Sequence, residues 1–265
     1  KLAERGLITT ELVNLDGVWQ WDLADLEQKI MASPHKPRLL LLCNPHNPVG
    51  RVWTRDELEQ ILELVIRHDL WVCSDEIHCD LVLDQRCKHI PFASLNAEAA
   101  KRTLTLMAPS KTYNIAGLNC AFAITSNPEI RTKLAKIMHG LFSDINIFGI
   151  AACQAALTQG GAWRGELLDY LRINRDLVLS ELANLAGLKV TIPEATYLAW
   201  IDGRELCAQY QIANLQQFFE TAGVGLSDGA DFANAGFVRL NFGTNRAILV
   251  EALQRMRLAV ANIIK

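Results

Sequence analysis

The chain has 265 residues, of which 50% are hydrophobic and 21% charged, and its formal net charge at pH 7 is −3. This balance is typical of a globular protein with enough apolar material for a sizeable core. A weakly acidic chain has no general attraction for nucleic acid or for an anionic membrane, and the longest apolar run, Leu39–Cys43, has only the length of a strand. We therefore expect neither nucleic acid nor a membrane among its partners.

Seven cysteines are spread along the chain, and none of them forms a Cys-x-x-Cys pair. An odd number of cysteines in a chain of this length argues against a disulfide framework and for a reducing compartment, so we expect a cytoplasmic protein. Cys73, His78 and Cys79 are close in sequence, but their spacing matches no common zinc pattern. We therefore expect no metal site.

The first strand and turn of the alternating half of the chain are predicted between residues 38 and 50. Arg38–Cys43 is a short, continuous apolar run of the kind that forms a buried strand. Asn44–Gly50, with the sequence NPHNPVG, has the composition of a turn. We expect His46, within that turn, to be exposed.

A helix is predicted from about Arg55 to His68. Thr54 and Glu57 have the spacing of a capping box, which satisfies backbone N–H groups at a helix start. Apolar residues then recur at helical spacing and form one stripe, which predicts a face packed on a core. The members of this stripe are Leu58, Ile61, Leu62, Val65 and Ile66.

Further strands are predicted at Leu70–Ser74, Thr103–Met107 and Cys120–Thr125. Strands that alternate with helices in this way predict a mostly parallel sheet with helices on its faces. Ligands of such sheets bind beyond the carboxyl ends of the strands. Asn47, Asp75 and Lys111 each come shortly after a predicted strand, so this edge of the sheet is the first candidate for a functional site.

The second half of the chain has a different pattern. Long helices are predicted at about 147–158 and 163–185, short strands at about 189–192, 198–201 and 237–241, and a final helix at about 247–263. The final helix carries one apolar face, made of Leu249, Ala252, Leu253, Met256 and Val260. We expect a smaller α+β domain here, with residues 1–170 forming a large α/β domain and residues 171–265 the small one.

Four motifs occur in the order found in fold-type I pyridoxal-phosphate (PLP) enzymes of the aminotransferase class I/II group, and the resemblance covers nearly the whole chain. They are NPHNPVG, SDEIH, APSKTYNIAGL and VRLNFG. SDEIH, together with TYLAWID at 196–202, resembles the cystathionine β-lyase branch, the MalY/PatB type. The resemblance implies a PLP-dependent transferase-like large domain with a mostly parallel sheet, a small α+β domain, an amino-acid substrate and a homodimer.

Lys111 is the candidate for the Schiff-base lysine, because PLP needs an amine to hold its aldehyde and this lysine follows a strand among small and polar residues. By resemblance, Asp75 is the buried carboxylate that keeps the pyridine nitrogen protonated. Ser110 resembles a phosphate contact. The alternatives are a solvated surface lysine for Lys111 and a turn or helix-capping role for Asp75.

Three more residues complete the predicted site. Asn47 resembles the residue that hydrogen-bonds the phenolic oxygen of the cofactor, although asparagine also favours turns on its own account. His78 stands where many relatives carry a tyrosine near that oxygen, and a packing histidine is the alternative. Arg239 resembles the arginine that binds the substrate carboxylate, since a planar two-pronged donor suits that group best. Its alternative is a surface arginine in an ion pair.

The sequence departs from the aminotransferase pattern at two positions, and one of the two departures favours elimination over transfer. Ala108 stands where aminotransferases often carry a serine, and Asn119 stands where they often carry a phosphate-binding arginine. The β-lyase branch also tends to lack that arginine, so the resemblance implies a carbon–sulfur β-lyase acting on cystathionine or a related S-substituted cysteine. A class I/II aminotransferase is the alternative enzyme, and a non-catalytic fragment of the PLP fold is the alternative of another class.

In the family, an N-terminal stretch supplies the phosphate-binding loop, the aromatic residue that stacks on the pyridine ring and a tyrosine for the partner subunit. The present chain begins with Lys1 rather than Met, and the resemblance implies that it begins just after the stacking aromatic residue. We expect a missing N-terminal portion. It would be a separate chain, part of a longer protein or a segment lost by truncation.

Overall fold

A computed structural model describes residues 5–139 and 145–264. Within these ranges no helix is both long and apolar enough to cross a membrane. The chain forms two compact units. The first contains the described residues up to Asn44, Trp53–Ile77 and His89–Leu157, and the second contains Pro45–Val52, His78–Lys88 and the described residues from Thr158 onward.

The first unit combines a two-stranded hairpin, a four-stranded sheet and several helices. Its strands are β1 (Leu12–Leu15), β2 (Val18–Trp21), β3 (Leu39–Cys43), β4 (Trp71–Asp75), β5 (Thr103–Met107) and β6 (Phe122–Ile124). Its helices are α1 (Leu23–Ala32), α2 (Arg55–Arg67), α3 (Ala97–Arg102), α4 (Pro128–Met138) and most of α5 (Ile147–Gln159).

The larger sheet of this unit confirms the predicted mixed α/β class. Its strand order is β3-β4-β5-β6, and both the β3–β4 and β4–β5 pairs are parallel. The last strand is shorter than the predicted Cys120–Thr125 and runs antiparallel to β5. Because parallel neighbours end at the same edge, β4 and β5 deliver the residues that follow them to one side of the sheet.

Helix α2 shows how the sequence pattern builds the core of this unit. The Thr54 hydroxyl accepts from the Glu57 backbone N–H, and the Glu57 carboxylate accepts from the Thr54 N–H, which confirms the capping box. The predicted stripe is buried except for Ile66, which remains 43% exposed at its edge. It packs with residues of β3 and β4 into one cluster, whose members include Leu42, Trp53, Leu58, Ile61, Val65 and Val72.

The second unit contains an antiparallel sheet of strand order β7-β8-β10-β9. Its strands are β7 (Lys189–Val190), β8 (Leu198–Asp202), β9 (Ser227–Asp228) and β10 (Phe237–Asn241), and its helices are α6 (Gly161–Leu182), α7 (Arg204–Tyr210), α8 (Leu215–Thr221) and α9 (Arg246–Ile264). The predicted face of α9 packs into the core of this unit. Residue 170, the predicted domain boundary, lies within α6, and the division of the chain into domains at that point stays a prediction.

Candidate functional site

Asp75 is the last residue of β4 and lies opposite Leu106 on β5. Its carboxylate is exposed, and Oδ1 accepts a hydrogen bond from the backbone N–H of Ile77 at 3.2 Å. The expectation of a buried carboxylate at this position is therefore wrong for the structure of this unit. The reason is the face of the sheet to which Asp75 belongs. Leu106, its paired residue on β5, is also exposed on that face.

The neighbouring Glu76 is the buried acid of this motif, and sequence reasoning missed it. Its side chain is 1% exposed. It accepts hydrogen bonds from the Ser74 hydroxyl at 2.8 Å and the Phe92 N–H at 3.1 Å, and it lies 2.9 Å from Nε2 of His89. These contacts hold the chain rigidly directly after β4, so Glu76 positions the backbone that carries Asp75.

Lys111 lies in a turn that follows β5. The Tyr113 N–H donates to the Pro109 carbonyl at 2.9 Å, and the Ile115 N–H donates to the Ser110 carbonyl at 3.2 Å. These bonds form tight turns around Lys111, whose side chain is exposed, while Ser110 is half-buried. The turn presents the amine and hydroxyl next to the same sheet edge that carries Asp75.

The donor set of the first unit fits PLP. An exposed primary amine can bind an aldehyde, an exposed carboxylate can pair with a protonated pyridine nitrogen, and a hydroxyl can donate to a phosphate. The fit rests on the chemistry of Lys111, Asp75 and Ser110 and on their position after two neighbouring parallel strands.

The turn Pro45–Val52 belongs to the second unit and presents Asn47. The His46 N–H donates to the Arg51 carbonyl at 2.8 Å, and the Gly50 N–H donates to the His46 carbonyl at 2.7 Å. Gly50 has φ +74°, and a Cβ there would lie 2.5 Å from Cβ of Pro193. Only glycine therefore fits this turn against the segment that precedes β8.

His46 is half-buried, so the expectation of an exposed histidine is wrong. Burial lowers the pKa of His46 to about 4, because the charged imidazolium loses its hydration. Short-range sequence patterns carry no signal for this burial.

Arg239 lies on β10 with its guanidinium held on several sides. Nη1 donates to Oδ1 of Asn47 at 3.0 Å, Nη2 donates to the Ser227 hydroxyl at 3.0 Å, and the guanidinium carbon lies 4.8 Å from the ring centre of Phe232. Burial lowers the pKa of Arg239, and an arginine nevertheless stays charged at neutral pH. The structure thus brings the predicted Asn47 and Arg239 into direct contact.

His78 is buried in the second unit against the ring of Tyr197. The two ring centres lie 5.9 Å apart at an interplanar angle of 78°, an edge-to-face packing. Burial raises the pKa of the Tyr197 phenol. This contact agrees with the packing role that the sequence left as an alternative for His78. Contact between His78 and the cofactor stays a prediction.

The predicted residues therefore fall into two groups, each described within its own unit. Asp75, Ser110 and Lys111 follow adjacent strand ends of the first unit. The second unit contains the other group, Asn47, His78 and Arg239. Among the described residues, no cluster of three or more His, Cys, Asp or Glu side chains is placed to hold a metal ion.

Comparison with known families decides the membership of the chain. The family model described as aminotransferase class I and II matches residues 6–256. The chain belongs to this family. The resemblance inferred from the four motifs is thereby confirmed, as is the fold class.

Three proteins show which members of the family this chain resembles. Cystathionine beta-lyase PatB of Bacillus subtilis is 38% identical over 97% of this chain and 66% of its own length. The crystal structure of OvoB matches with a TM-score of 0.93 and 46% identity, over 98% of this chain and 66% of that one. The PLP-bound C-S lyase from Staphylococcus hominis matches with a TM-score of 0.87 and 32% identity, over 94% of this chain and 65% of that one. The chain thus spans just under two thirds of the length of these relatives.

Proposed function

We propose that the protein is a PLP-dependent carbon–sulfur β-lyase. It would act on cystathionine or a related S-substituted cysteine and release a thiol, pyruvate and ammonia. The observation that carries this proposal is the 38% identity to cystathionine beta-lyase PatB over 97% of the chain. The likeness to a PLP-bound C-S lyase structure and the presence of Asn119 in place of the common arginine support it.

Lys111, Asp75 and Ser110 would hold the cofactor from the first unit. Lys111 would bind the aldehyde through Nζ, Asp75 would keep the proton on the pyridine nitrogen, and Ser110 would donate to the phosphate. PLP, when bound, supplies an electron sink for the bond that breaks at the substrate α-carbon. By the same resemblance, Asn47 would donate to the phenolic oxygen of the cofactor, and His78 would contact the cofactor.

Two of these residues would also act on the substrate. Arg239 would bind the α-carboxylate with paired N–H groups, a geometry that suits a guanidinium. When a substrate is bound, Nζ of Lys111 would take the proton from the substrate α-carbon as general base. Its exposure in the turn after β5 leaves the amine accessible for both tasks. The electron pair left at the α-carbon would form a double bond to the β-carbon as the C–S bond breaks, and the sulfur would leave as a thiolate that takes up a proton. Water would convert the released aminoacrylate to pyruvate and ammonia.

An aminotransferase is the second candidate, because the family model carries that description. It would use the same residues but return the proton to the cofactor rather than release the β-substituent. The absence of an arginine at Asn119 is the sequence feature that weighs against it.

The test measures pyruvate and free thiol after the purified full-length protein is mixed with cystathionine and PLP. We expect one pyruvate per thiol, and no activity in Lys111→Ala. Addition of a 2-oxo acid distinguishes the candidates: stoichiometric exchange of keto acid without thiol release would favour the aminotransferase. A protein that neither develops an internal Schiff-base absorbance with PLP nor turns over either substrate would be the non-catalytic alternative.

We also propose a cytoplasmic homodimer. Exposed apolar side chains of α5 support association, since Ile147 and Phe148 are 75% and 74% exposed and a monomer rarely leaves such a cluster in water. No disulfide joins the seven cysteines, all of which lie in described segments, which suits a reducing compartment. Analytical ultracentrifugation of the full-length protein tests the dimer, and a single monomeric species would refute it.

A further inference from the structure

We propose that Ser227 and Phe232 are positioning residues that fix the guanidinium of Arg239 in the orientation required by a carboxylate ligand. This inference rests on the proposed role of Arg239 and deepens it. Neither residue belongs to any of the motifs that predicted the site. Both act through Arg239 rather than on the substrate itself.

The sheet of the second unit places the participants in one row. Arg239 on β10 lies opposite Trp200 on β8 and opposite Ser227 on β9. Directly paired residues of antiparallel strands extend their side chains to the same face of a sheet. The Ser227 hydroxyl is therefore delivered to Arg239 by strand register, and it accepts from Nη2 at 3.0 Å.

Phe232 covers one flat face of the guanidinium. The distance of 4.8 Å from the guanidinium carbon to the ring centre is within the range of a cation–π contact. Phe232 also packs edge to face against the buried Trp200, with ring centres 5.5 Å apart and an interplanar angle of 75°. An arginine on an aromatic ring that is itself held by a buried tryptophan has little freedom to tilt.

The short 3₁₀ helix that carries Phe232, Gly229–Phe232, is itself held in place. Asp228 caps it through a hydrogen bond from the Ala230 N–H at 2.9 Å, and the Asn214 amide donates to the same carboxylate at 2.8 Å. A Cβ on Gly229 would lie 2.3 Å from the Asn234 carbonyl oxygen, so only glycine allows this close packing. The ring of Phe232, on which the Arg239 guanidinium packs, is therefore held in place before any ligand binds.

The hydrogen bonds of Arg239 to Asn47 and Ser227 leave part of the guanidinium available to a ligand. Asn47 takes one N–H of Nη1 and Ser227 takes one N–H of Nη2. Each terminal nitrogen of a guanidinium carries a second N–H, so both nitrogens keep a donor for a carboxylate ligand. A guanidinium whose plane is set in advance loses less conformational entropy on binding, which strengthens carboxylate binding without any new contact.

The test compares the binding of L-alanine with that of L-alanine methyl ester to the PLP-loaded full-length protein by calorimetry, because the ester lacks the carboxylate. For Phe232→Leu we expect the Kd of L-alanine to rise by roughly 3- to 30-fold, a range that extends from an exposed to a desolvated cation–π contact, while the Kd of the ester changes by less than about 2-fold. For Ser227→Ala we expect a rise of roughly 3- to 10-fold for the acid alone.

Phe237→Leu is the matched control. Phe237 also packs on Trp200, with ring centres 5.1 Å apart, and also lies under an arginine, but its cation is Arg204. We expect the control to leave the ratio of the two Kd values as in the unaltered protein. Phe232→Tyr and Ser227→Thr, which keep the ring face and the hydroxyl, should restore that ratio and show that loss of folding is not the cause.

Equal weakening of acid and ester in Phe232→Leu and Ser227→Ala, or an unaltered protein that does not distinguish acid from ester, would overturn the inference. Failure of the lyase proposal has a different signature. In that case the protein would release no pyruvate from cystathionine, and yet the preference for the acid would be present and would fall in the two variants.

Discussion

Replacement of Glu76 by glutamine should destabilise the first unit, because this carboxylate is the centre of a buried hydrogen-bond network. Oε1 accepts from the Ser74 hydroxyl at 2.8 Å and from the Phe92 N–H at 3.1 Å, while Oε2 lies 2.9 Å from Nε2 of His89. Glutamine has nearly the same shape but supplies only one acceptor oxygen. One of these partners must then face an amide N–H instead of an oxygen.

The size of the effect follows from which contact glutamine can keep. If its oxygen faces Ser74 and Phe92, its amide must donate to Nε2 of His89, and the imidazole proton then moves to Nδ1. That atom is buried and has no hydrogen-bond partner in the described part of the chain. An unsatisfied buried donor costs about 1–3 kcal/mol, so we expect Glu76→Gln to lower the free energy of unfolding by that amount.

Urea unfolding of the PLP-free protein, followed by tryptophan fluorescence, measures this change. Glu59→Gln is the matched control, because Glu59 pairs with Arg55 on α2 with side chains 51% and 52% exposed. An exposed i, i+4 pair contributes only about 0.3–0.5 kcal/mol. If Glu76→Gln costs no more than the control, Glu76 does not organise the segment after β4, and the reasoning is refuted.

Three further variants test other parts of the structure. Gly50→Ala should cost about 2–4 kcal/mol in the same urea assay, because alanine meets Pro193 at a positive φ, and a loss below 1 kcal/mol would mean that the turn can relax. Stability should fall as pH drops from 6.5 towards 4, by at most about 3 kcal/mol, because unfolded His46 takes up a proton near pH 6.5 while burial lowers its folded pKa to about 4. His46→Gln should flatten this part of the stability–pH curve. An unchanged slope would mean that other titrating groups cause the pH dependence. Thr54→Ala should cost about 1 kcal/mol through loss of the capping box, and thermal unfolding that matches the unaltered protein would contradict this.

Local patterns predicted most of the regular elements. The strand β3, the capping box of α2 and the apolar face of α9 all depend on residues close in sequence, and the structure confirms each as an element. The expectation that β3 is buried is wrong, because Leu39 and Leu41 are 54% and 62% exposed in the described structure. The order of motifs along the chain predicted the family, and the family model confirms it. The hairpin of β1 and β2 was missed, although Asp16-Gly17 between two short strands is a strong signal for such a turn.

The remaining features depend on packing between distant segments. The burial of Glu76 and the exposure of Asp75 follow from which side of the pleat each occupies and from the position of Phe92. Ser227 meets Arg239 only through the pairing of β9 with β10, and β9 has just two residues, too few for a periodic signal. Sequence spacing contains no information on such contacts, so these positioning residues emerged only from the structure.

Peptide mass spectrometry after borohydride reduction of the PLP-loaded full-length protein tests the central claim most directly. Reduction converts a Schiff base between PLP and a lysine into a stable secondary amine. We expect the phosphopyridoxyl group on the peptide that contains Lys111, and less of it there when borohydride is added during turnover of saturating cystathionine, because the substrate amine then competes with the lysine for the aldehyde. A label on another lysine, or no label at all, would contradict the assignment of Lys111 as the residue that binds the cofactor.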